Sequence, residues 1–200
     1  MSLPPFAVSF DYRCPFAKNI HLHLIAALRD GAEFDVAFEP WTLSQGHRAE
    51  GSPDVWDDPA KEVDLLALAY GVAARDTQSR EAFLEAHEAL FRARHERGIR
   101  LASVDEIEQV LGETSIDLDA VRAEVASRRP YEVIAETYRR FSKFDAFGVP
   151  TFVVGNDATF VRYMTAPTEG ADSAAIISSL VTLMATNPEL NEFKHTRLPA

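Results

Sequence analysis

The chain of 200 residues contains one cysteine, Cys14, and no other residue has a stronger case for chemistry. Cys14 follows a short apolar segment and precedes Pro15, a residue suited to the first turn of a helix. A cysteine at the start of a helix meets unpaired backbone N–H groups and the positive end of the helix dipole, about half an elementary charge. These groups favour the thiolate, and the neighbouring Arg13 could favour it further. We therefore predict a reactive thiol with a pKa below the usual value of about 8.5. The alternative is a small buried hydrophobe, which is what most free cysteines are.

A single thiol cannot close a bridge within the chain, so internal disulfide bonds are excluded. A chain of this length buries about 70% of its unfolded surface and needs no disulfide to fold. Thiol–disulfide chemistry at Cys14 must therefore use a sulfur atom from another molecule.

The histidines give weaker signals. His21 and His23 lie two apart on a predicted helix, so their side chains point about 200° apart and a shared metal ion is not expected. His21 is about 10 Å along the helix from Cys14, too far to act as its base, and a place at the edge of the core is expected for it. His87 lies on an apolar stripe typical of a packed core, and His95 provides charge near a helix end.

Four aromatic residues could line a cleft between the core and the helical part of the chain, although core packing is the more usual role for each: Trp41, Tyr70, Tyr138 and Phe144. The sequence has no P-loop, no dinucleotide-binding glycine pattern and no zinc-ligand spacing. We therefore expect neither a metal site nor a tightly bound cofactor.

The charge balance excludes several classes of partner. The chain has 20 Lys and Arg against 31 Asp and Glu, a net charge of −11. Its basic runs are short and lie on predicted helices, so no nucleic-acid partner is expected. No stretch of about 18 apolar residues is present, so no membrane span is expected. The N-terminus lacks the basic and apolar regions of a secretory signal, which predicts a cytoplasmic protein.

Hydrophobic periodicity predicts an α/β fold around these residues. A strand is predicted over 5–11, a helix from Pro15 to Gly31, and a strand over 34–41. The middle of the chain is almost entirely helical, with Gly148 predicted at the C′ position of its last helix. The predicted helices cover 58–75, 79–97, a segment opened by the capping box Ser103–Glu106, 118–127 and 130–146.

Strands return near the C-terminus. They are predicted over 151–154 and 159–163, joined by the turn Gly155-Asn156-Asp157, and a last helix starts at Asp172 or Ser173. The order is β-α-β, a helical block and then β-β-α. This order predicts one domain, residues 1–48 and 147–200, that carries an all-helical insertion domain at 49–146.

Two segments resemble the DsbA-like branch of the thioredoxin-fold proteins: DYRCPFAKNIHLHLIAAL around Cys14, and GVPTFVVG around Pro150. The resemblance implies a thioredoxin-like sheet with a helical insertion. It also implies a cis proline, Pro150, that follows Val149 and abuts the thiol. The segment ALFRARHERGIRLASVDEIEQVL resembles the insertion helices of this family and of the related chromene-carboxylate isomerases and kappa-class glutathione transferases. The tail NEFKHTRLP is similar to the C-terminus of mycothiol-dependent reductases of the branch.

One departure from the family motif decides the expected mechanism. Family members carry C-P-x-C, whereas this chain has Ala17 in place of the second cysteine. Residues three apart are neighbours on a helix, which is why C-x-x-C can form a disulfide and why Cys14 and Ala17 cannot. The motif also lacks the histidine of the oxidising members, having Pro15-Phe16, so weaker stabilisation of the thiolate is expected.

A single thiol can still form a mixed disulfide that an external thiol resolves. The resemblance therefore implies an oxidoreductase with Cys14 as the catalytic residue and glutathione or mycothiol as co-substrate. The backbone of Val149 would pair with the backbone of a peptide-like thiol. The proposed binding residues are Pro15, Phe16, Ala17, Val149 and Pro150.

Two alternatives stay open. One is an isomerase or transferase that holds a thiol cofactor without a covalent bond and acts on a small aromatic compound. That group usually has serine near the position of Cys14, which counts against it, while Ala17 counts for it. The other is a binding module that kept the fold and lost its redox activity. A homodimer is compatible with the acidic helical block.

Overall fold

The computed structural model describes residues 3–192 and 194–195 and confirms the α/β class, a four-stranded mixed sheet with many helices. The strands are β1 (Phe6–Phe10), β2 (Val36–Pro40), β3 (Thr151–Val154) and β4 (Asp157–Phe160). The helices are α1 (Pro15–Arg29), α2 (Leu43–Gly46), α3 (Glu62–Thr77), α4 (Arg80–His95), α5 (Val104–Leu111), α6 (Leu118–Ala126), α7 (Arg129–Ser142) and α8 (Ser173–Thr186).

The sheet has the strand order β2-β1-β3-β4. β1 pairs in parallel with β2 and antiparallel with β3, and β3 pairs antiparallel with β4. In this register Val8 lies between Phe38 and Phe152. Phe6, Val8 and Phe10 are buried, and so is Ser9 on the opposite face, so β1 is covered on both sides. The chain leaves this central strand only four residues before Cys14, which gives the thiol a rigid base.

The helices pack in two connected groups. α1 packs against α8 and α4, while α3 packs against α4, α6 and α7. α7 also contacts β2 at the sheet edge. The helical block is therefore joined to the sheet through α7 and to the helix that carries Cys14 through α4.

Side-chain caps begin the helices where the sequence predicts. Ser79 accepts a hydrogen bond from the N–H of Ala82, and Asp172 accepts one from the N–H of Ala175. Ser103 likewise accepts from the N–H of Glu106. Pro59 departs from the prediction, because residues Pro59–Lys61 form a 3-10 turn before α3.

The prediction for the end of α7 was wrong. The helix ends at Ser142, not at residue 146, and Gly148 is not its C′ residue. The N–H of Ala146 donates to the carbonyl of Phe141, and Asp145 has the left-handed φ of 54° that glycine usually supplies there. Aspartate is one of the few other residues that adopt this conformation readily.

The prediction for the second strand of the hairpin was also wrong. β4 covers Asp157–Phe160, because Val154 pairs with Asp157 and leaves a turn of only Gly155 and Asn156. Gly155 has a φ of 61°, as tight hairpin turns require. Just beyond β4, the N–H of Val161 donates to the carbonyl of Pro150.

Within residues 3–192 and 194–195, no helix is long and apolar enough to cross a membrane. In the tail match NEFKHTRLP, Phe193 and residues 196–199 lie outside the described residues. The division into two domains at residues 48 and 146 stays a prediction.

Candidate active site around Cys14

Cys14 is the N-cap residue of α1. Its N–H donates to the carbonyl of Asp11, and its own carbonyl accepts from the N–H of Lys18 in the first turn of the helix. The thiol donates to the carbonyl oxygen of Val149, with 3.1 Å between sulfur and oxygen, and the residue is only 7% exposed. The structure therefore brings together two of the residues that the sequence places in one site.

The segment opposite the thiol is held by the central strand. The Val149–Pro150 peptide bond is cis, and both residues are buried. The N–H of Thr151 donates to the hydroxyl oxygen of Ser9 at 2.8 Å, and the Thr151 hydroxyl donates to the carbonyl of Gly148 at 2.7 Å. These bonds fix the position of the Val149 carbonyl relative to β1.

The other predicted binding residues differ in accessibility. Pro15 is exposed and Phe16 is half-buried, so both can meet a ligand at the surface. Ala17 is fully buried, so its methyl group contributes to the core under the first turn of α1. Its direct contact with a ligand stays a prediction.

The prediction of a lowered thiol pKa was wrong. Burial raises the pKa of the Cys14 thiol, and the backbone N–H groups of Ala17 and Phe16 lower it without cancelling that effect. The N–H groups at the start of the helix do favour the thiolate, as the sequence predicts. Removing the thiolate from water destabilises it by more than these groups stabilise it. The bond to Val149 has the same consequence, because a carbonyl oxygen can accept from a thiol and not from a thiolate.

Arg13 does not support the thiolate, contrary to the prediction. Its guanidinium group donates to the carboxylate of Asp11 at 2.7 Å and to the hydroxyl oxygen of Ser44 at 2.8 Å. The carboxylate of Asp64 lies 3.7 Å from it. These partners hold the Arg13 side chain in the turn before α1.

A different arginine, Arg162, acts on the thiol through its charge. Arg162 follows β4, and its guanidinium group lies 5.0 Å from the ring centre of Phe16 and 5.8 Å from that of Phe160. Its positive charge lowers the pKa of Cys14, an effect smaller than that of burial. Its side chain forms no ion pair with any described residue. The ring of Phe147, which is 69% exposed, contacts that of Phe160 at 5.0 Å.

Sequence reasoning missed this surface. Phe16, Phe147, Phe160 and Arg162 form an aromatic surface with one cation beside Cys14, and we call it the Arg162 surface. Of these residues, only Phe16 could be assigned to the site from the sequence, because it follows Cys14-Pro15 in the family motif. The others come from a strand and a loop far along the chain, and no local pattern indicates that they meet α1.

Beneath Cys14, two histidines join the sheet to the helical block. His21 contacts the carbonyl of Ser9 through Nε2 at 3.2 Å, and His87 Nε2 contacts His21 Nδ1 at 2.9 Å. The hydroxyl of Tyr12 contacts His87 Nδ1 at 2.8 Å. Tyr12 is 1% exposed and both histidines are fully buried. His87 is therefore a core histidine as predicted, whereas His21 is not at the core edge but inside it.

One assignment of protons satisfies this chain of hydrogen bonds. A carbonyl oxygen only accepts, so His21 must donate from Nε2 to Ser9 and accept at Nδ1. His87 then donates from Nε2, and Tyr12 donates to its Nδ1. Burial lowers the pKa of His21 to about 3 and that of His87 well below its ordinary value, and it raises the pKa of Tyr12. All the groups are neutral at physiological pH.

Two further histidines, His23 and His95, are structural. His23 contacts the Ser173 hydroxyl through Nδ1 at 2.9 Å, which ties α1 to α8. His95 donates from Nε2 to the carbonyl of Tyr12 at 2.8 Å, and burial lowers its pKa, so it is not the charged helix end that the sequence predicts. Among the described residues, no group of histidine, cysteine and carboxylate side chains is placed to hold a metal ion.

Three of the four aromatic residues considered for a cleft have the packed role that the sequence favours for each. The rings of Trp41 and Tyr138 stack with 5.1 Å between their centres. Tyr70 is buried and its hydroxyl donates to the carboxylate of Glu108 at 2.7 Å. Phe144 is half-buried.

Comparison with known proteins agrees with this geometry. The family model described as a DSBA-like thioredoxin domain matches residues 7–169. No curated protein matches the sequence.

Solved structures share the fold. The cytosolic disulfide reductase DsbM from Pseudomonas aeruginosa, solved with GSH, has a TM-score of 0.61 and 16% identity, with 90% of this chain and 100% of that chain covered. Reduced DsbA1 from Neisseria meningitidis has a TM-score of 0.58 and 20% identity over 90% and 82% of the two chains. DsbA from Proteus mirabilis, in complex with a peptide, has a TM-score of 0.55 and 16% identity over 92% and 90%. At these identities the similarity shows the fold.

Proposed function

Because the chain belongs to the DSBA-like thioredoxin domain family, we propose that it is a thiol–disulfide oxidoreductase that acts through Cys14 alone. The observation that carries this proposal is the placement of the thiol. Cys14 lies at the start of α1 against the Val149 carbonyl, and Ala17 fills the position from which a second cysteine would resolve an intermediate. The cycle then needs a thiol from solution.

The proposed reaction has two exchanges. The Cys14 thiol loses its proton to solvent, and its thiolate attacks one sulfur of a small disulfide. A bond forms between Sγ and that sulfur, the original S–S bond breaks, and the departing thiolate takes up a proton. An external thiolate then attacks the outer sulfur of the mixed disulfide and releases the Cys14 thiolate, which is protonated again. One disulfide and one thiol enter, and one of each leaves.

The Val149 carbonyl explains how a substrate could activate a thiol that is neutral at rest. A peptide-like disulfide has backbone N–H groups, and one of them can donate to the Val149 oxygen in place of the Cys14 thiol. The thiol then loses its acceptor, while the N–H groups of Phe16 and Ala17 still face it and favour the thiolate. Pro15 and Pro150 border this position.

The Arg162 surface favours glutathione as the co-substrate. Glutathione carries carboxylates that the Arg162 guanidinium can bind, whereas mycothiol carries none. A disulfide reductase of similar fold, DsbM, was solved with GSH. Turnover by glutathione requires a reduced thiol pool, so a cytoplasmic location belongs to the same proposal. A homodimer stays a prediction that light scattering can test.

A second function is favoured by one observation, the buried Cys14 thiol that donates to the Val149 carbonyl. In an isomerase or transferase that binds glutathione without a covalent bond, a neutral thiol could donate a hydrogen bond where related enzymes have serine.

One experiment separates these functions. The protein is incubated with glutathione disulfide and its intact mass is measured, and glutathione binding is titrated for the wild type and Cys14→Ser. A glutathionyl adduct on Cys14 that reduced glutathione removes supports the oxidoreductase. Saturable glutathione binding without an adduct, unchanged in Cys14→Ser, supports the isomerase or transferase. If the protein forms no adduct and does not bind glutathione, the redox-inactive binding module is supported.

A further inference from the structure

A cavity lies beside the residues that lead into Cys14. Its volume is about 190 Å3, and residues Asp11 to Arg13, which precede Cys14, form one wall. α3 forms the second wall, and the last turn of α4 at Arg94 forms the third together with Arg100–Ala102 before α5. We call it the Arg94–Arg100 cavity.

The cavity contains two further arginines, Arg94 and Arg100. Neither Arg94 nor Arg100 forms a side-chain ion pair or hydrogen bond with any described residue. The neighbouring Arg97, by contrast, is paired with Glu113 at 2.7 Å. Carboxylates are abundant in a chain with a net charge of −11, yet among the described residues none lies within ion-pair distance of Arg94 or Arg100.

The two carboxylates in the cavity are bound by groups other than Arg94 and Arg100. Asp11 is bound by Arg13 at 2.7 Å and by the N–H of Leu43 at 2.9 Å. Asp64 accepts from the hydroxyl of Ser44 at 2.7 Å and lies 3.7 Å from Arg13. Arg13 offsets only one of the two aspartates, so the three arginines of the lining exceed its two carboxylates by one positive charge.

The rest of the lining is apolar. Val63, Ala67 and Leu68 contribute from α3, and Val63 is 46% exposed. Leu101 contributes from the opposite wall and has a φ of 55°, a left-handed conformation that a branched residue rarely adopts. Such backbone outliers concentrate at ligand sites.

We propose that the Arg94–Arg100 cavity binds a small organic anion that joins one carboxylate to one apolar group. The carboxylate meets the guanidinium groups, which bind planar anions through paired hydrogen bonds. The apolar group lies against Val63 and Leu101. A cavity of about 150 Å3 is known to hold benzene, so this one has room for a single ring and its carboxylate. The proposal does not depend on thiol chemistry at Cys14.

The test uses benzoate as the probe, titrated into the full chain and followed by NMR shifts of the leucine and valine methyl groups. Saturable binding is expected, with the largest shifts at Leu68 and Leu101. Benzamide has the ring without the charge, and inorganic phosphate has the charge without the ring. Both should bind at least about tenfold more weakly, since each lacks one of the two contacts. Equal affinity for either compound, or no saturation by benzoate, would overturn the proposal.

Variants locate the site. Arg94→Gln and Arg100→Gln should each weaken benzoate binding by at least about tenfold, because each removes a charge-assisted contact. Arg97→Gln is the matched control from the same segment and should bind as the wild type does. If Arg94→Gln and Arg100→Gln retain wild-type affinity, the assignment is wrong. Cys14→Ser should also bind as the wild type does, so failure of the proposed thiol reaction leaves this test intact.

Discussion

Replacing His87 with phenylalanine should break the buried chain of hydrogen bonds that runs from Tyr12 to Ser9. The phenylalanine ring can take the place of the imidazole, because His87 already packs against Phe10, Phe83 and Phe91 with ring centres 4.6, 5.0 and 5.0 Å away. The substitution therefore removes hydrogen bonds while keeping most of the packing.

The cost follows from counting the polar groups left without a partner. In His87→Phe, the Tyr12 hydroxyl and His21 Nδ1 both lose theirs, and each buried unpaired group costs about 1–3 kcal/mol. The free energy of unfolding should fall by about 2–6 kcal/mol, and Tm by roughly 4–24 °C for a chain of this size. Tyr12→Phe alone leaves only His87 Nδ1 without a partner and should lower the free energy of unfolding by about 1–3 kcal/mol.

The double variant gives the sharper test. Tyr12→Phe with His87→Phe leaves only His21 Nδ1 unpaired, so it should be more stable than His87→Phe alone by about 1–3 kcal/mol. Urea unfolding of the wild type, both single variants and the double variant measures the four free energies. If the two single costs simply add in the double variant, the hydrogen-bond chain does not exist as described.

Three further predictions concern the site and its support. Ala17→Cys should form a disulfide with Cys14 on oxidation, because residues three apart on a helix are neighbours; free thiols that persist after oxidation would contradict this. Arg162→Gln should raise the pKa of Cys14 and slow its alkylation at neutral pH, since the arginine charge lowers that pKa, whereas the exposed Arg129→Gln serves as a control without effect. The free energy of unfolding should fall as the pH falls from about 6.5 to about 3. In this range His21 binds a proton in the unfolded chain but not in the folded chain, where its pKa is about 3. This loss is on the order of 5 kcal/mol from His21, and urea unfolding with a pH-independent midpoint would refute it.

The order of the elements was predictable from sequence because its signals are local. Pro15, Ser79 and Ser103 each begin a helix through their own ring or hydroxyl group, within a few residues of the chain. The end of α7 was not predictable in this way. It depends on Asp145 taking a left-handed conformation that the sequence suggests only for Gly148.

In the site too, the features set by local sequence were predictable and those set by distant contacts were not. The place of Cys14 at a helix start follows from its neighbour Pro15, and its pairing with Pro150 came from the family resemblance. The burial that raises the thiol pKa depends on the whole fold around α1, as does the approach of Arg162 from beyond β4. Apolar periodicity indicated that His87 is buried, but not that it bonds to His21, because that contact joins two separate helices.

The central claim is that Cys14 turns over through a mixed disulfide that an outside thiol resolves. The direct measurement is intact mass spectrometry of the protein after glutathione disulfide and then after reduced glutathione. One glutathionyl group should appear on the wild type, disappear with reduced glutathione, and never appear on Cys14→Ser. An unmodified wild type, or an adduct that reduced glutathione leaves in place, would contradict the claim.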